Sequence, residues 1–364
     1  MKIKEVISIL ESWAPRSYAE DFDNTGLLVG DENTSVTGVL VTLDTLEAVV
    51  DEAISTDCNL IVSFHPIIFS GLKKITGATY VERVVQKAIK HDIAIYAIHT
   101  ALDNAWEGVN AKICAQLGLT NRMVLIPQSG TIKKLRTFVP LSAADKVRSA
   151  LFTAGAGAIG NYEHCSFNVA GKGSFKGNEA SNPTLGTKGE LHFEEEIQIG
   201  VTFQKHLESN VLQALKAVHP YEEVAYEITT LENTNQHIGM GMVGELEQGL
   251  SEKDFLNHLK SKMKTEGIRH SAFLGHTIHK VAVLGGSGSF AIDAAKRLGA
   301  DAFVSADFKY HDFFKAEGAI LLADIGHYES EQFTKELLVS FLNKKISNFA
   351  IVLSKINTNP ISYY

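Results

Sequence analysis

The first part of the chain alternates short apolar runs with stretches of helical spacing. Apolar runs predict strands at 36–43, 59–64 and 93–98, and repeats of about 3.6 residues predict helices at 46–56 and 80–90. Strand, helix and strand in close succession indicate neighbouring parallel strands joined by right-handed crossovers. Residues 1–130 are therefore predicted to form an N-terminal α/β lobe.

The pattern changes near residue 131 and changes back near residue 230. Between these positions, strands are predicted at 135–140, 164–170, 189–193, 196–203 and 224–229, with helices at 143–153 and 207–218. Two β-α-β patterns in so short a segment predict an inserted ferredoxin-like α+β domain over residues 131–230. An α/β pattern resumes over residues 231–364, where Gly239, Gly241 and Gly244 predict a turn-rich bend.

Length and composition narrow the class of protein. A chain of 364 residues exceeds the usual size of one core, and 45% hydrophobic with 21% charged residues is typical of a soluble globular protein. No apolar run approaches the roughly 18 residues of a membrane span, and the start resembles an amphipathic helix rather than a signal peptide. Three scattered cysteines predict reduced thiols and a cytoplasmic location.

The charge distribution disfavours direct binding to nucleic acid. The net charge is −8, and the densest cationic stretch contains only Lys260, Lys262, Lys264 and Arg269. These residues alternate with neutral ones near a predicted helix end, which is typical of a solvated face.

Four residues from the two ends of the chain have the chemistry of a metal site. His327 and Glu331 are four residues apart, so a helix would place both on one face. His65 and Asp103 each follow a predicted strand, at the sheet edge where open α/β folds bind ligands. Two imidazoles and two carboxylates suit Zn, Mn or Fe(II), with one or two ions per subunit. Each residue also has a structural interpretation: a strand-end histidine can be a core residue, and Asp103 can start a turn.

A glycine-rich segment permits a different interpretation. Residues 285–291 contain G-x-G-x-x-A between a predicted strand and helix, close to the dinucleotide-binding fingerprint. The alternative is a tight turn whose amides bind a phosphate or another anion. His311 follows the next predicted strand, where it could act as a general acid or make a hydrogen bond within its loop.

Several segments together resemble one protein family. In chain order they are Asp23-Asn-Thr-Gly-Leu-Leu-Val-Gly30, His65-Pro-Ile-Ile-Phe69, His99-Thr-Ala-Leu-Asp103, Gly285-Gly-Ser-Gly288, Asp307-Phe-Lys-Tyr-His311 and Gly326-His-Tyr-Glu-Ser-Glu331. They resemble the NIF-three-like family, whose members are often labelled GTP cyclohydrolase I type 2 homologues. The segment from His219 to Tyr226 resembles the PII- or CutA-like module of the longer bacterial members.

The resemblance implies a fold, an assembly and a metal centre. It implies two NIF-three-like α/β lobes with the inserted PII/CutA-like domain, assembled as a homohexamer. It also implies a dinuclear centre with His65, Asp103, His327 and Glu331 as ligands, and His99 and His311 nearby in catalytic roles. Many members carry two adjacent histidines where this chain has Phe64 and His65, and phenylalanine cannot bind a metal.

The leading functional hypothesis is therefore a divalent-metal-dependent hydrolase of a nucleotide-like substrate. For GTP, as the resemblance implies, the reaction would open the imidazole ring and release formate. The alternative is a non-catalytic hexameric scaffold or regulator whose PII-like insert senses a ligand. A dehydrogenase, suggested by the glycine-rich segment, is a third hypothesis.

Overall fold

The computed structural model describes residues 1–347 and 349–364, and it divides into two compact units. Unit 1 combines Met1–Pro127 with Gln236–Tyr364, and unit 2 is Gln128–Asn235. In the part of the chain that the structure describes, no helix is both long and apolar enough to cross a membrane.

The regular elements are numbered here in chain order. The strands are β1 (Gly26–Val29), β2 (Val39–Thr42), β3 (Leu60–Ser63), β4 (Ala94–Ala97), β5 (Leu119–Pro127), β6 (Ile132–Pro140), β7 (Phe167–Lys176), β8 (Leu191–Gln204), β9 (Tyr226–Leu231), β10 (Gly239–Ser251), β11 (Arg269–His270), β12 (Thr277–Ser287), β13 (Ala302–Ala306), β14 (Leu321–Asp324) and β15 (Ile351–Leu353). The helices are α1 (Ile3–Trp13), α2 (Glu47–Ser55), α3 (Tyr80–Lys90), α4 (His99–Asp103), α5 (Val109–Leu117), α6 (Ala144–Thr153), α7 (Glu208–Val218), α8 (Glu252–Met263), α9 (Ile292–Arg297), α10 (His327–Glu331) and α11 (Thr334–Lys345).

The first sheet of unit 1 has five strands in the order β1-β4-β3-β2-β15. As the apolar pattern predicts, β2, β3 and β4 are adjacent and parallel, and the last strand of the chain, β15, joins them parallel to β2. Parallel strands are buried on both faces, so their sequences are continuously apolar. All residues of β2, β3 and β4 are buried accordingly.

The second sheet of unit 1 has six strands in the order β11-β14-β13-β12-β10-β5. The predicted bend at Gly239, Gly241 and Gly244 was wrong, because these glycines belong to the strand β10, which pairs with both β5 and β12. The glycines are needed for close approach: a Cβ on Gly239 would lie 2.1 Å from the carbonyl oxygen of Ile126. Glycine in this strand therefore indicates that the neighbouring backbone approaches closely, not that the chain reverses direction.

The main core of unit 1 draws on both sheets. Helix α1 contributes Leu10, helix α8 contributes Phe255, and strands of the two sheets contribute Val62 and Val304 to one cluster of buried side chains. Ser251 caps the start of α8, since its hydroxyl accepts a hydrogen bond from the backbone N–H of Asp254. The two sheets of unit 1 therefore share one core.

Unit 2 follows a β-α-β-β-α-β order, from β6 through α6, β7, β8 and α7 to β9. Its antiparallel sheet has the order β7-β8-β6-β9, which is the ferredoxin-like arrangement. The two strands predicted at 189–193 and 196–203 are one strand, β8, because Glu194 and Glu195 continue the pairing with β7 despite their charge. Helices α6 and α7 cover one face of the sheet.

Candidate metal centre

Three side chains converge beyond the carboxyl ends of the parallel strands in the two sheets of unit 1. His65 lies just beyond β3 of the first sheet, while His327 and Glu331 lie on α10, just beyond β14 of the second. Within the described residues these three form a group that could hold a metal ion, with ligand atoms all within 4.8 Å of one another. Parallel strands end at a common edge, which explains why residues so distant in sequence meet there.

The geometry favours coordination over hydrogen bonding. The Nε2 atoms of His65 and His327 lie 3.1 and 3.2 Å from the same oxygen, Oε2 of Glu331. That oxygen is buried and has no hydrogen bond of acceptable geometry among the described residues. Leaving such an atom unpaired costs stability, so the arrangement is typical of ligands directed at a shared point.

Each of the two converging histidines is oriented by an aspartate on its other ring nitrogen. Nδ1 of His65 lies 2.8 Å from Oδ1 of Asp44, and Nδ1 of His327 lies 2.7 Å from Oδ2 of Asp307. A carboxylate on Nδ1 selects the tautomer in which Nε2 is free to bind a metal. These contacts therefore prepare both imidazoles as ligands.

The charged forms of His65, His327 and Glu331 stabilise one another. Burial acts to lower the pKa of His65, but the carboxylates of Glu331 and Asp44 outweigh it and raise that pKa to about 10. Burial likewise opposes ionisation of His327, whose pKa Asp307 and Glu331 raise to about 11. For Glu331, burial acts to raise the pKa, yet the two imidazoles hold it well below its usual range. Glu331 therefore stays ionised, as a metal ligand must be, whereas each imidazole would have to release a proton to bind a cation through Nε2.

Asp103, the fourth predicted ligand, lies outside this group of three but faces it. It ends α4, it is buried, and its Oδ1 has no hydrogen-bond partner among the described residues. Burial and the charge of Glu331 raise its pKa well above the usual value. Two buried carboxylate oxygens without a hydrogen bond, one on Asp103 and one on Glu331, fit a divalent cation, which would supply positive charge there.

The glycine-rich segment packs against the three converging side chains. Gly285 and Gly286 lie in β12, where their N–H groups donate to Oδ1 of Asn110 and Oγ of Ser330. A Cβ on Gly286 would lie 2.5 Å from Oε1 of Glu331, in a backbone conformation of φ +69°. These two amides are used within the protein, so neither of them is left to bind a dinucleotide or another anion.

His99 belongs to the surroundings of the site. Its Nδ1 lies 2.8 Å from Oδ1 of Asp23, and its ring is 5.3 Å from that of His65, centre to centre. Thr100 also donates to Asp23 through both its N–H and its hydroxyl. His99 has a positive φ of 26°, a strained conformation of the kind found at functional sites.

His311 takes a different position. It is exposed in a 3-10 helix, Tyr310–Ala316, and its ring contacts those of Tyr310 and Phe314. No hydrogen bond, ion pair or ring contact of the described residues joins His311 to the three converging side chains. The structure therefore does not bring this histidine to the centre.

Phe64 packs beside the histidines without offering a ligand. The side chain is fully buried, with its ring centre 4.9 Å from that of His65 and 5.5 Å from that of His99. It belongs to the main core of unit 1. An apolar wall therefore occupies one side of the site.

The C-terminal segment reaches the residues that hold the ligands. The hydroxyl of Thr358 donates to Oδ2 of Asp44 at 2.6 Å, and Asp44 in turn holds His65. The next residue, Asn359, donates from Nδ2 to Oε1 of Glu329 on α10. One short segment thus touches the supports of ligands from both sheets.

The whole chain matches a known family. The family described as Duf34/NIF3 (NGG1p interacting factor 3) matches residues 1–360. The chain belongs to the Duf34/NIF3 family. Curated relatives include a GTP cyclohydrolase 1 type 2 homolog of Bacillus subtilis, 40% identical over 99% of this chain and 98% of that protein. A protein of the same description from Halalkalibacterium halodurans is 39% identical, with 98% of each chain covered.

A solved member of the Duf34/NIF3 family has the same fold. The crystal structure of a Bacillus cereus protein related to NIF3 superposes with a TM-score of 0.85 and 38% identity. The match covers 100% of this chain and 99% of the other. The mixed α/β architecture with several sheets is therefore shared along the full length.

Sequence reasoning missed the residues that orient the ligands. Asp44 lies two residues beyond β2, Asp307 directly follows β13, and Asp23 precedes β1. Acidic residues at strand ends are a usable signal, since several of them would meet at one sheet edge. Thr358 carried no such signal, because nothing in the sequence of the C-terminal segment indicates what it contacts.

Proposed function

We propose that this chain is a divalent-metal-dependent hydrolase of a nucleotide-like substrate, with GTP as the first substrate to test. The observation that carries the proposal is the convergence of two oriented imidazoles on one buried oxygen of Glu331 that has no hydrogen bond of acceptable geometry among the described residues. We assign His65, His327 and Glu331 as ligands, and Asp103 as a further ligand to one or two ions of Zn, Mn or Fe. The names of the curated relatives support a reaction of the cyclohydrolase type.

In the proposed reaction, the metal ion and the side chains around it would have separate roles. A divalent cation held there would lower the pKa of bound water and polarise the substrate. His99, with Nδ1 directed at Asp23, keeps Nε2 for proton transfer. His311 would act as a second proton donor only in a conformation that moves its exposed 3-10 helix closer to His65, His327 and Glu331. Phe64 would exclude water from one side of the substrate.

A direct assay tests the activity. Purified protein is freed of metal, supplied with Mn²⁺, Zn²⁺ or Fe²⁺ under anaerobic conditions, and incubated with GTP. We expect formate release with at least one metal, and none after chelation or in Glu331→Ala. Protein that binds metal but releases no formate with any of the three would rule out the cyclohydrolase reaction.

We expect the C-terminal segment to tune the metal affinity. Thr358→Val removes the hydroxyl that donates to Asp44, so His65 loses part of its orientation. Outer contacts of this kind change metal affinity by about 10–100-fold, and the low end is expected here. The measurement is competition with a fluorescent chelator. Thr358→Ser keeps the hydroxyl and should bind metal like the wild type; equal loss in both variants would contradict the role of the hydrogen bond.

A second candidate is a non-catalytic metal-binding scaffold or regulator. Phe64 favours it, because a fully buried phenylalanine cannot bind the second ion that the family resemblance implies. This alternative predicts metal binding without turnover, and a ligand or partner that depends on unit 2. Formate release that depends on Glu331 would exclude it.

We further propose that the protein is a cytoplasmic homohexamer and that unit 2 is a PII/CutA-like module. A homohexamer would bury some of the large exposed aromatic side chains of unit 1, such as Phe22, Phe69 and Phe314. Light scattering coupled to size-exclusion chromatography gives the number of subunits directly.

The β-α-β-β-α-β order of unit 2 supports a PII/CutA-like module. The free, buried thiols of Cys58 and Cys114 are consistent with the cytoplasm.

A further inference from the structure

Unit 2 contains a cavity that the proposed chemistry does not use. It has a volume of about 610 Å³ and lies on the face of the sheet opposite α6 and α7. Its floor is formed by β6, β7 and β8, and the segments 181–184 and 221–225 border it. Thr184 donates to the carbonyl of Pro220, and the N–H of Asn182 donates to Glu222, so the two bordering segments are tied together. A volume of this size is typical of small-molecule sites.

The shape of the cavity suits a flat ring. Phe138, Phe175 and Tyr221 supply aromatic surface, and the rings of Phe175 and Tyr221 lie 5.9 Å apart, centre to centre. A Cβ added to Gly171 would meet nothing within 4 Å. The backbone of β7 is thus uncovered at this position, where a planar group can lie against it.

Among the polar side chains that line the cavity, the carboxylate of Glu196 is held in a defined position. Oε1 of Glu196 accepts a hydrogen bond of 2.8 Å from the hydroxyl of Tyr221. The other oxygen, Oε2, lies over Gly173, where a Cβ would come within 2.3 Å of it. No described residue donates a hydrogen bond to Oε2. A carboxylate held in place with a free oxygen selects ligands that bring N–H donors.

We propose that this cavity binds a planar nitrogen heterocycle carrying an amino group, of the aminopteridine or aminopurine class. The ring would stack on Phe175 or Tyr221 and lie against β7 at Gly171. Its amino and ring N–H groups would donate to Glu196. This proposal is independent of the metal centre, because every residue that lines the cavity belongs to unit 2.

Fluorescence titration with pterin, 2-amino-4-oxopteridine, tests the proposal on the full chain. Glu331→Ala is the background for every titration, so that the metal centre does not contribute. We expect saturable binding of pterin, and binding at least about 10-fold weaker for lumazine, the analogue with oxygen in place of the amino group. No saturable binding of pterin up to millimolar concentration would overturn the proposal.

Two variants locate the ligand. Glu196→Gln should weaken pterin on the order of 10-fold or more, because a charge-assisted contact is lost. Gly171→Val should abolish binding, because its side chain projects into open space and a β-branched residue suits a strand. Glu195→Gln, a change at the adjacent exposed position, is the matched control and should bind like the background. Unchanged affinity in Gly171→Val would place the ligand elsewhere and refute the assignment.

Discussion

Glu331→Ala is expected to lower the affinity for Mn²⁺ or Zn²⁺ by more than about 100-fold, since even second-shell changes cost about 10–100-fold. Glu331 contributes the oxygen on which both imidazoles converge, at 3.1 and 3.2 Å from their Nε2 atoms. Its removal leaves His65 and His327 without the carboxylate that balances their charge. Isothermal titration of metal-free protein measures the change.

Two further variants make this result specific. Glu331→Gln keeps the size of the side chain and removes its charge, so it should also lose affinity while the fold persists. Glu336→Ala changes an exposed glutamate of the next helix, α11, and should bind metal like the wild type. Wild-type affinity in both Glu331 variants would contradict the assignment of this residue as a ligand.

Gly286→Ala is expected to damage both stability and metal binding. The residue has a φ of +69°, which costs alanine about 1–2 kcal/mol. The added Cβ would also lie 2.5 Å from Oε1 of Glu331, a buried side chain with little freedom to move away. We expect metal affinity to fall about 10-fold or more, in the range of second-shell changes. Urea unfolding and metal titration measure the two effects.

Gly299→Ala separates the backbone effect from the clash. Gly299 has nearly the same conformation, φ +68°, but a Cβ there meets nothing within 4 Å. The Gly299→Ala variant should therefore lose stability only because alanine disfavours this backbone conformation, and it should keep its metal affinity. Equal metal affinity in the two alanine variants would show that the contact between Gly286 and Glu331 is unimportant for binding.

The parts of the fold that local pattern could predict are those with strong periodicity. β2, β3 and β4 are uninterrupted apolar runs, and α3 begins and ends where its pattern does. β10 was missed because its glycines were required by two neighbouring strands, and the sequence of one strand does not reveal how closely its partners approach. β8 was divided for a similar reason, since Glu194 and Glu195 pair with an edge strand that faces water.

For the site, the sequence by itself determined residue chemistry and local spacing. The four-residue separation of His327 and Glu331 placed both on one helix face, and strand ends predicted where His65 would lie. Only the tertiary structure decided which distant groups meet. It placed Asp44, Asp307 and Thr358 where they support the histidines, and it left space for Glu331 beside Gly286. It also left His311 exposed and outside the centre. The physical reason is that helical and strand periodicity act over a few residues, whereas these contacts depend on how two sheets pack through one core.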